Sequence, residues 1–353
     1  MEHMPQVIRK TSPYLRRPQA KVSRMMSDVV IALIPVIIFA IYSFGWSAVW
    51  ILLASTLSMT LTEAIYYWIT SPKGETAFTL SNYSAVVSGL IFGLTLADNT
   101  PIWVVVITGV LGILMAKLFF GGLGQNIFNP AALARVLVAV NFATLSTYQA
   151  NIPIIDGEAG ATVLQTLNES GNLFNADILN HIPLWQLFTG IGVPGSLGEV
   201  SALLIIVGGL YLALRHSFEV RIPVVFIATV FGLASAVAVY QGLGIWYPLM
   251  HVFSGGVMFG AVFMATDPIT SPITKPGRIY FAFALGFVTF IIRLFGALPE
   301  GVVFSILIMN MFVSAFDYFK WSNPRFTTKG SVIFAGVVVA AIAVVLVGVS
   351  YVG

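Results

Sequence analysis

Apolar residues along this chain gather into runs separated by short polar, glycine- and proline-bearing stretches. The runs fall at about 29–44, 46–69, 84–97, 101–120, 130–148, 199–214, 222–240, 248–265, 279–296, 300–319 and 331–352. A helix crosses the hydrocarbon core of a bilayer with about 20 apolar residues. The pattern therefore predicts eleven crossings and the fold class of an all-α polytopic membrane protein with about 10–11 transmembrane helices.

Two of the segments share a motif. Gly89-Leu-Ile-Phe-Gly93 runs on to Asp98, and Gly256-Val-Met-Phe-Gly260 runs on to Asp267. Each is followed by a helix ending in a cation and Leu-Phe, namely Lys117-Leu118-Phe119 and Arg293-Leu294-Phe295. Five runs separate the copies, and an odd number of crossings reverses orientation. The chain thus reads as two inverted five-helix repeats, at 28–148 and 199–320, with an extra C-terminal transmembrane helix at 331–353. Small-xxx-small spacing alone also arises wherever membrane helices pack closely. In inverted repeats, short glycine-interrupted segments meet near the midplane and build a site from helix ends and free backbone groups. A pocket between the halves is expected, its occupant unspecified.

Charge sets the orientation. Residues 1–27 carry Arg9, Lys10, Arg16, Arg17, Lys21 and Arg24 with no small-residue cleavage site, and read as a retained cytoplasmic tail. With that tail inside, every one of the 17 lysines and arginines except Arg293 falls on a cytoplasmic loop, tail or helix end, as the positive-inside bias requires. The longest connection, 149–198, carries Asp156, Glu158, Glu169 and Asp177 and no lysine or arginine, which places it outside. The expected location is a membrane crossed several times, with residues 1–27 on its cytoplasmic side and 149–198 on the other. A composition of 58% hydrophobic and 9% charged residues excludes a soluble globule. The net charge of +3 follows from the cytoplasmic bias, so no nucleic-acid partner is expected. Cysteine is absent, which excludes thiolate metal sites, iron–sulfur ligation and disulfides. Any redox chemistry must come from a bound organic cofactor.

Within the outside loop, Asp156-Gly157-Glu158-Ala159-Gly160-Ala161-Thr162 combines acids, small residues and a hydroxyl just before an apolar stretch. By its residues alone it is an exposed turn; Gly160 and Ala161 also leave the Thr162 hydroxyl open to a bulky group. Acids inside the membrane are costly. Glu63 lies within the second run and Asp317 near the cytoplasmic end of the tenth; each suits a cation or proton path, or a paired structural carboxylate. No two of the four histidines have metal-ligand spacing, and no metal site is expected.

Several motifs in order are similar to one family. The chain resembles the RnfD/NqrB family: RnfD of the Rnf ion-translocating ferredoxin:NAD oxidoreductase and NqrB of the sodium-pumping NADH:quinone oxidoreductase. The resemblance runs from about residue 10 to 320. It rests on Gly121-Gly-Leu-Gly-Gln-Asn-Ile-Phe-Asn-Pro-Ala131, Met264-Ala-Thr-Asp-Pro-Ile-Thr-Ser-Pro272, Arg293-Leu-Phe-Gly296 with Pro299-Glu300-Gly301, and Gly160-Ala-Thr162. In that family the threonine of the Gly-Ala-Thr segment is esterified to the phosphate of FMN by a dedicated flavin transferase. The resemblance implies covalent FMN on Thr162, with Asp156, Gly160 and Ala161 matching around it; Ala159 stands where the family usually has Ser or Thr. It also implies a second, non-covalent flavin, riboflavin or FMN, within the helices. The expected lining is Asn126 and Asn129 from one half and Asp267 and Thr270 from the other. Each of these side chains equally suits a helix cap beside a Pro or Gly break.

The implied activity is electron relay between ferredoxin and NAD couples, driving Na+ or H+ export, as one component of a redox-driven translocase. Its implied partners are Rnf subunits A, B, C, E and G, the transferase and the bilayer. NAD and ferredoxin sites are expected on other subunits, because no Gly-rich phosphate loop or cysteine ligand occurs here. Two rivals remain: an NqrB-type protein delivering electrons to quinone, and a channel or transporter whose repeat encloses a solute path.

Overall fold

The computed structural model of the chain describes residues 22–70, 79–146, 174, 183–296, 301–318 and 328–352. All eleven apolar runs are helical in it, and no β-strand occurs among the described residues. In chain order the helices are α1 (Val22–Phe44), α2 (Trp46–Thr70), α3 (Ser84–Leu94), α4 (Ile102–Ala116), α5 (Pro130–Asn141), the short α6 (Leu184–Thr189), α7 (Ala202–Arg215), α8 (Arg221–Gln241), α9 (Trp246–Phe253), α10 (Val257–Met264), α11 (Lys275–Phe295), α12 (Gly301–Met311), α13 (Val313–Phe316) and α14 (Thr328–Val352).

These helices are of two kinds. Six are long and apolar enough to cross a membrane: α1, α2, α4 extended to Phe120, α8, α11 and α14. Helices α9 and α10 together form a further candidate span, bent by 57°. By contrast α3, α5, α7 and α12 have only 11, 12, 14 and 11 residues. At 1.5 Å per residue they rise about 16–21 Å, short of the ~30 Å hydrocarbon core. Their ends therefore lie inside the bundle, where polar groups must find protein partners. The chain is a multi-pass, all-α membrane protein.

Local sequence accounts for the breaks. Gly255 and Gly256 take φ of +61° and +74°, a region closed to most residues, and stop α9 before α10 begins. Residues Gly260–Met264 then form a π turn, a feature frequent at functional sites. Helix α5 starts on Pro130, preorganised for a first turn, behind the Asn129 cap. Inside the long helices, Ser55, Ser58, Thr108 and Thr229 turn their hydroxyls back onto carbonyls three or four residues earlier, which satisfies them without leaving the helix.

Neighbour relations recur between the halves. In the first, α2 packs on α3 and α4, and α4 on α5; in the second, α8 packs on α9 and α11, and α11 on α12. Counterparts also meet each other, α1 against α7 and α5 against α12. Glycines allow the close approaches: a Cβ at Gly89 of α3 would stand 2.6 Å from Thr56 Cα, and one at Gly112 of α4 would stand 2.6 Å from Ala134 Cβ of α5. Helix α14 packs on α8 and α11, and its Phe334 ring meets Tyr280 and Phe283 of α11.

Candidate functional site

A cavity of about 710 Å³, counting its open mouth, lies between the two halves. The first half contributes Met25, Ser84, Lys117 and Asn126 to its wall, and the second Phe218 and Asp267. Its mouth lies where α1 begins and α7 ends. Asp28, buried on α1, fastens that corner: its carboxylate accepts from Tyr211 Oη at 3.3 Å, Arg215 Nε at 3.3 Å and the Ser217 hydroxyl.

Lys117 is the cation of this cavity. Its Nζ donates to Glu63 Oε2 and to Ser84 Oγ, each at 2.6 Å. The charge pattern of the sequence put Lys117 at a cytoplasmic helix end; it does close α4, but its side chain is 1% exposed and its charge is matched inside the bundle. Glu63 is the partner of Lys117 and is itself wholly buried. An ammonium in low dielectric needs such a carboxylate, and Ser84 at the start of α3 completes its coordination.

Asn126, Asn129 and Asp267 all line this one cavity. Asn129 Oδ1 caps α5, accepting from the backbone of Ala131 at 3.0 Å and Ala132 at 3.3 Å. Its Nδ2 donates across the halves to the Met264 carbonyl at 3.2 Å. Asn126 ties its own loop, accepting from Gly124 N and donating to Phe128 O. Thr270 stands behind the wall: its hydroxyl donates to Asp267 Oδ2 at 2.9 Å and orients that carboxylate. Asn310 of α12, unnoticed in the sequence, joins the parts by accepting from Asn129 N and donating to the Thr270 carbonyl. Its only sequence signal is an amide inside an apolar run.

Asp317 lies apart from the cavity. Its carboxylate accepts from Ile273 N at 2.7 Å, Thr274 N at 3.0 Å and Thr274 Oγ1 at 2.6 Å, bracing the entry to α11. The loop residues Asp156, Gly160, Ala161 and Thr162 lie outside the described residues.

At the other end of α3 and α10 a second polar cluster surrounds the helix break. Arg293, assigned from the sequence to the outer surface, is 2% exposed. Its Nη1 donates to the His251 carbonyl at 2.6 Å, and Nη2 to those of Ser254 at 3.0 Å and Gly255 at 2.6 Å. The guanidinium thus satisfies the carbonyls that the end of α9 leaves open, and its charge suits that helix terminus. Glu199 balances it: a Cβ on Gly256 would lie 2.6 Å from Glu199 Oε1, so the carboxylate rests against the start of α10. Leu197 N and Gly198 N donate to the carbonyls of Leu96 and Leu94, which brings the end of α3 to the same place. The start of α3 lies at the cavity and its end at the break, the reverse of α10. The two half-helices therefore run past one another in opposite directions.

The family described as NQR2, RnfD, RnfE matches residues 8–325. The chain belongs to that family. Among relatives, it is 37% identical over 322 residues to the D component of the Na(+)-translocating ferredoxin:NAD(+) oxidoreductase complex of Acetobacterium woodii, covering 90% of this chain and 95% of the relative. It is 35% identical to the D component of the ion-translocating oxidoreductase complex of Stutzerimonas stutzeri, covering 87% and 92%. It is 34% identical to the D component of the proton-translocating ferredoxin:NAD(+) oxidoreductase complex of Clostridium ljungdahlii, covering 90% and 96%. Helix α14 follows the segment that the NQR2, RnfD, RnfE family matches.

Proposed function

We propose that the chain is the D-type membrane component of an ion-translocating ferredoxin:NAD oxidoreductase complex, carrying flavin and relaying electrons while Na+ or H+ leaves the cell. The observation that carries this reading is the match to D components over nine-tenths of the chain, together with Gly160-Ala-Thr162 in the long loop. FMN is joined by its phosphate to the Thr162 hydroxyl through a flavin transferase, and the 149–198 loop faces outward. The other subunits, A, B, C, E and G, hold the ferredoxin and NAD sites.

We place a second flavin, riboflavin or FMN, in the cavity between the halves. Apolar side chains such as Val87, Ile91 and Phe263 suit the faces of a flat ring, while Lys117, Asn126 and Asp267 reach its edge from opposite halves. Bound there, a flavin supplies one- and two-electron transfer. Lys117 would offer an N–H donor and positive charge, Asp267 an acceptor oriented by Thr270, and the apolar wall would exclude water. Proteins of opposite ion preference, one Na+- and one proton-translocating by name, are both similar to this chain, so the exported ion follows from neither.

The test is purification of the chain coexpressed with the flavin transferase, followed by denaturing electrophoresis. Fluorescence should stay with the polypeptide and vanish in Thr162→Ala, while free flavin should still be released from that variant on denaturation. A colourless protein, or fluorescence retained without Thr162, would overturn the assignment.

A further inference from the structure

Three buried residues at the helix break carry polar side-chain atoms that the fold leaves unused. Tyr247 and His251 lie one turn apart on α9 with ring centroids 4.6 Å apart, and Arg293 binds the carbonyl of His251. All three are at most 3% exposed. Yet Tyr247 Oη, both ring nitrogens of His251 and Arg293 Nε have no hydrogen-bond partner among the described residues. A buried polar atom without a partner costs about 1–3 kcal/mol, and in native interiors such groups are satisfied by protein or by ordered water. Four of them on three adjoining residues mark a place where something else binds.

Their chemistry restricts what it is. Arg293 Nε–H can only donate, so the ligand must accept. A neutral imidazole donates from one nitrogen and accepts at the other, so the ligand must also donate. Tyr247 Oη does either. Arg293 already spends Nη1 and Nη2 on three backbone carbonyls, so only its Nε–H is left to offer. A metal cation cannot accept from Arg293, and an anion without protons cannot donate to His251. Water both donates and accepts, and because the two nitrogens of one imidazole point to opposite sides of the ring, separate waters meet them.

We propose that Tyr247, His251 and Arg293 Nε form a binding site for ordered water at the break between α9 and α10. The water satisfies the orphaned atoms, at the far end of α3 and α10 from the Lys117 cavity. The inference stands apart from the flavin assignment, since none of these residues lines the flavin cavity.

Hydroxyl-radical footprinting by X-ray pulses, applied to the purified complex, tests it, because radicals formed from a bound water oxidise the side chains beside it. Tyr247 and Phe290, whose ring lies 5.3 Å from His251, should be oxidised several-fold faster than Phe226 and Phe281, which are equally buried in the apolar core. In the double variant Tyr247→Phe/His251→Leu, labelling of Phe290 should fall to the level of those controls. Equal rates at Phe290, Phe226 and Phe281 in the unmodified protein would overturn the proposal whether or not the variant folds. Undiminished Phe290 labelling in a folded double variant would overturn the role of the two side chains.

Discussion

Lys117 Nζ lies 2.6 Å from Glu63 Oε2, and neither side chain is more than 1% exposed. The two residues belong to the ends of α2 and α4, so the pair joins two long helices beside the cavity. Removing one partner of a buried ion pair strands the other charge and costs about 3–5 kcal/mol. Lys117→Met and Glu63→Leu should each lower the thermal midpoint of the detergent-solubilised protein sharply. The double variant Lys117→Met/Glu63→Leu should recover most of the loss, because two apolar side chains of similar volume need no compensation. Additive losses in this cycle would show that the two charges do not depend on each other.

Asn129 does two things at once, capping α5 and bonding the Met264 carbonyl of the opposite half. Asn129→Ala should cost about 1–2 kcal/mol from the cap. It should also weaken retention of non-covalent flavin, read in a Thr162→Ala background as flavin released per polypeptide. Asn129→Asp keeps the capping oxygen and should restore stability more than flavin retention.

Gly89 is a contact point between α3 and α2. A methyl group there would meet the Thr56 backbone, so Gly89→Ala forces the half-helix away and should cost about 1–3 kcal/mol. Gly336→Ala on α14 has nothing within 4 Å of the added carbon and serves as the control. It should leave the unfolding midpoint unchanged. Equal midpoints for the two variants would mean that α3 can shift without penalty.

Asp317 accepts three hydrogen bonds from Ile273 and Thr274 at the entry to α11. Bonds to a charged group are worth about 1.5–3 kcal/mol each where their loss leaves the donors unmet. Asp317→Ala should therefore destabilise the protein at every sodium concentration. A loss of stability confined to sodium-containing buffer would instead tie this carboxylate to cation binding.

Much of the architecture was legible in the sequence. The apolar runs located all eleven segments, and the paired glycine motifs singled out α3 and α10 as the half-helices that flank the cavity. Asn126, Asn129, Asp267 and Thr270, taken from motifs far apart in the chain, do come together. What the motifs did not reveal is how polar side chains spend their charge. Lys117 and Arg293 both end apolar helices beside Leu-Phe, a position that looks interfacial; both turn inward. Glu199 sits in a connection with no motif of its own, and only the approach of Gly256 gives its carboxylate a place.

The division has a physical cause. Transfer from water to lipid is a sum over neighbouring residues, so the order of the chain alone determined that it forms membrane helices and where glycine and proline interrupt them. Which buried cation meets which carboxylate depends on residues such as Glu63 and Lys117, 54 positions apart. Their attraction counts only once helices have closed around them and excluded water. The opposed half-helices, the cavity at Lys117 and the polar break at Arg293 were decided there, in the tertiary structure.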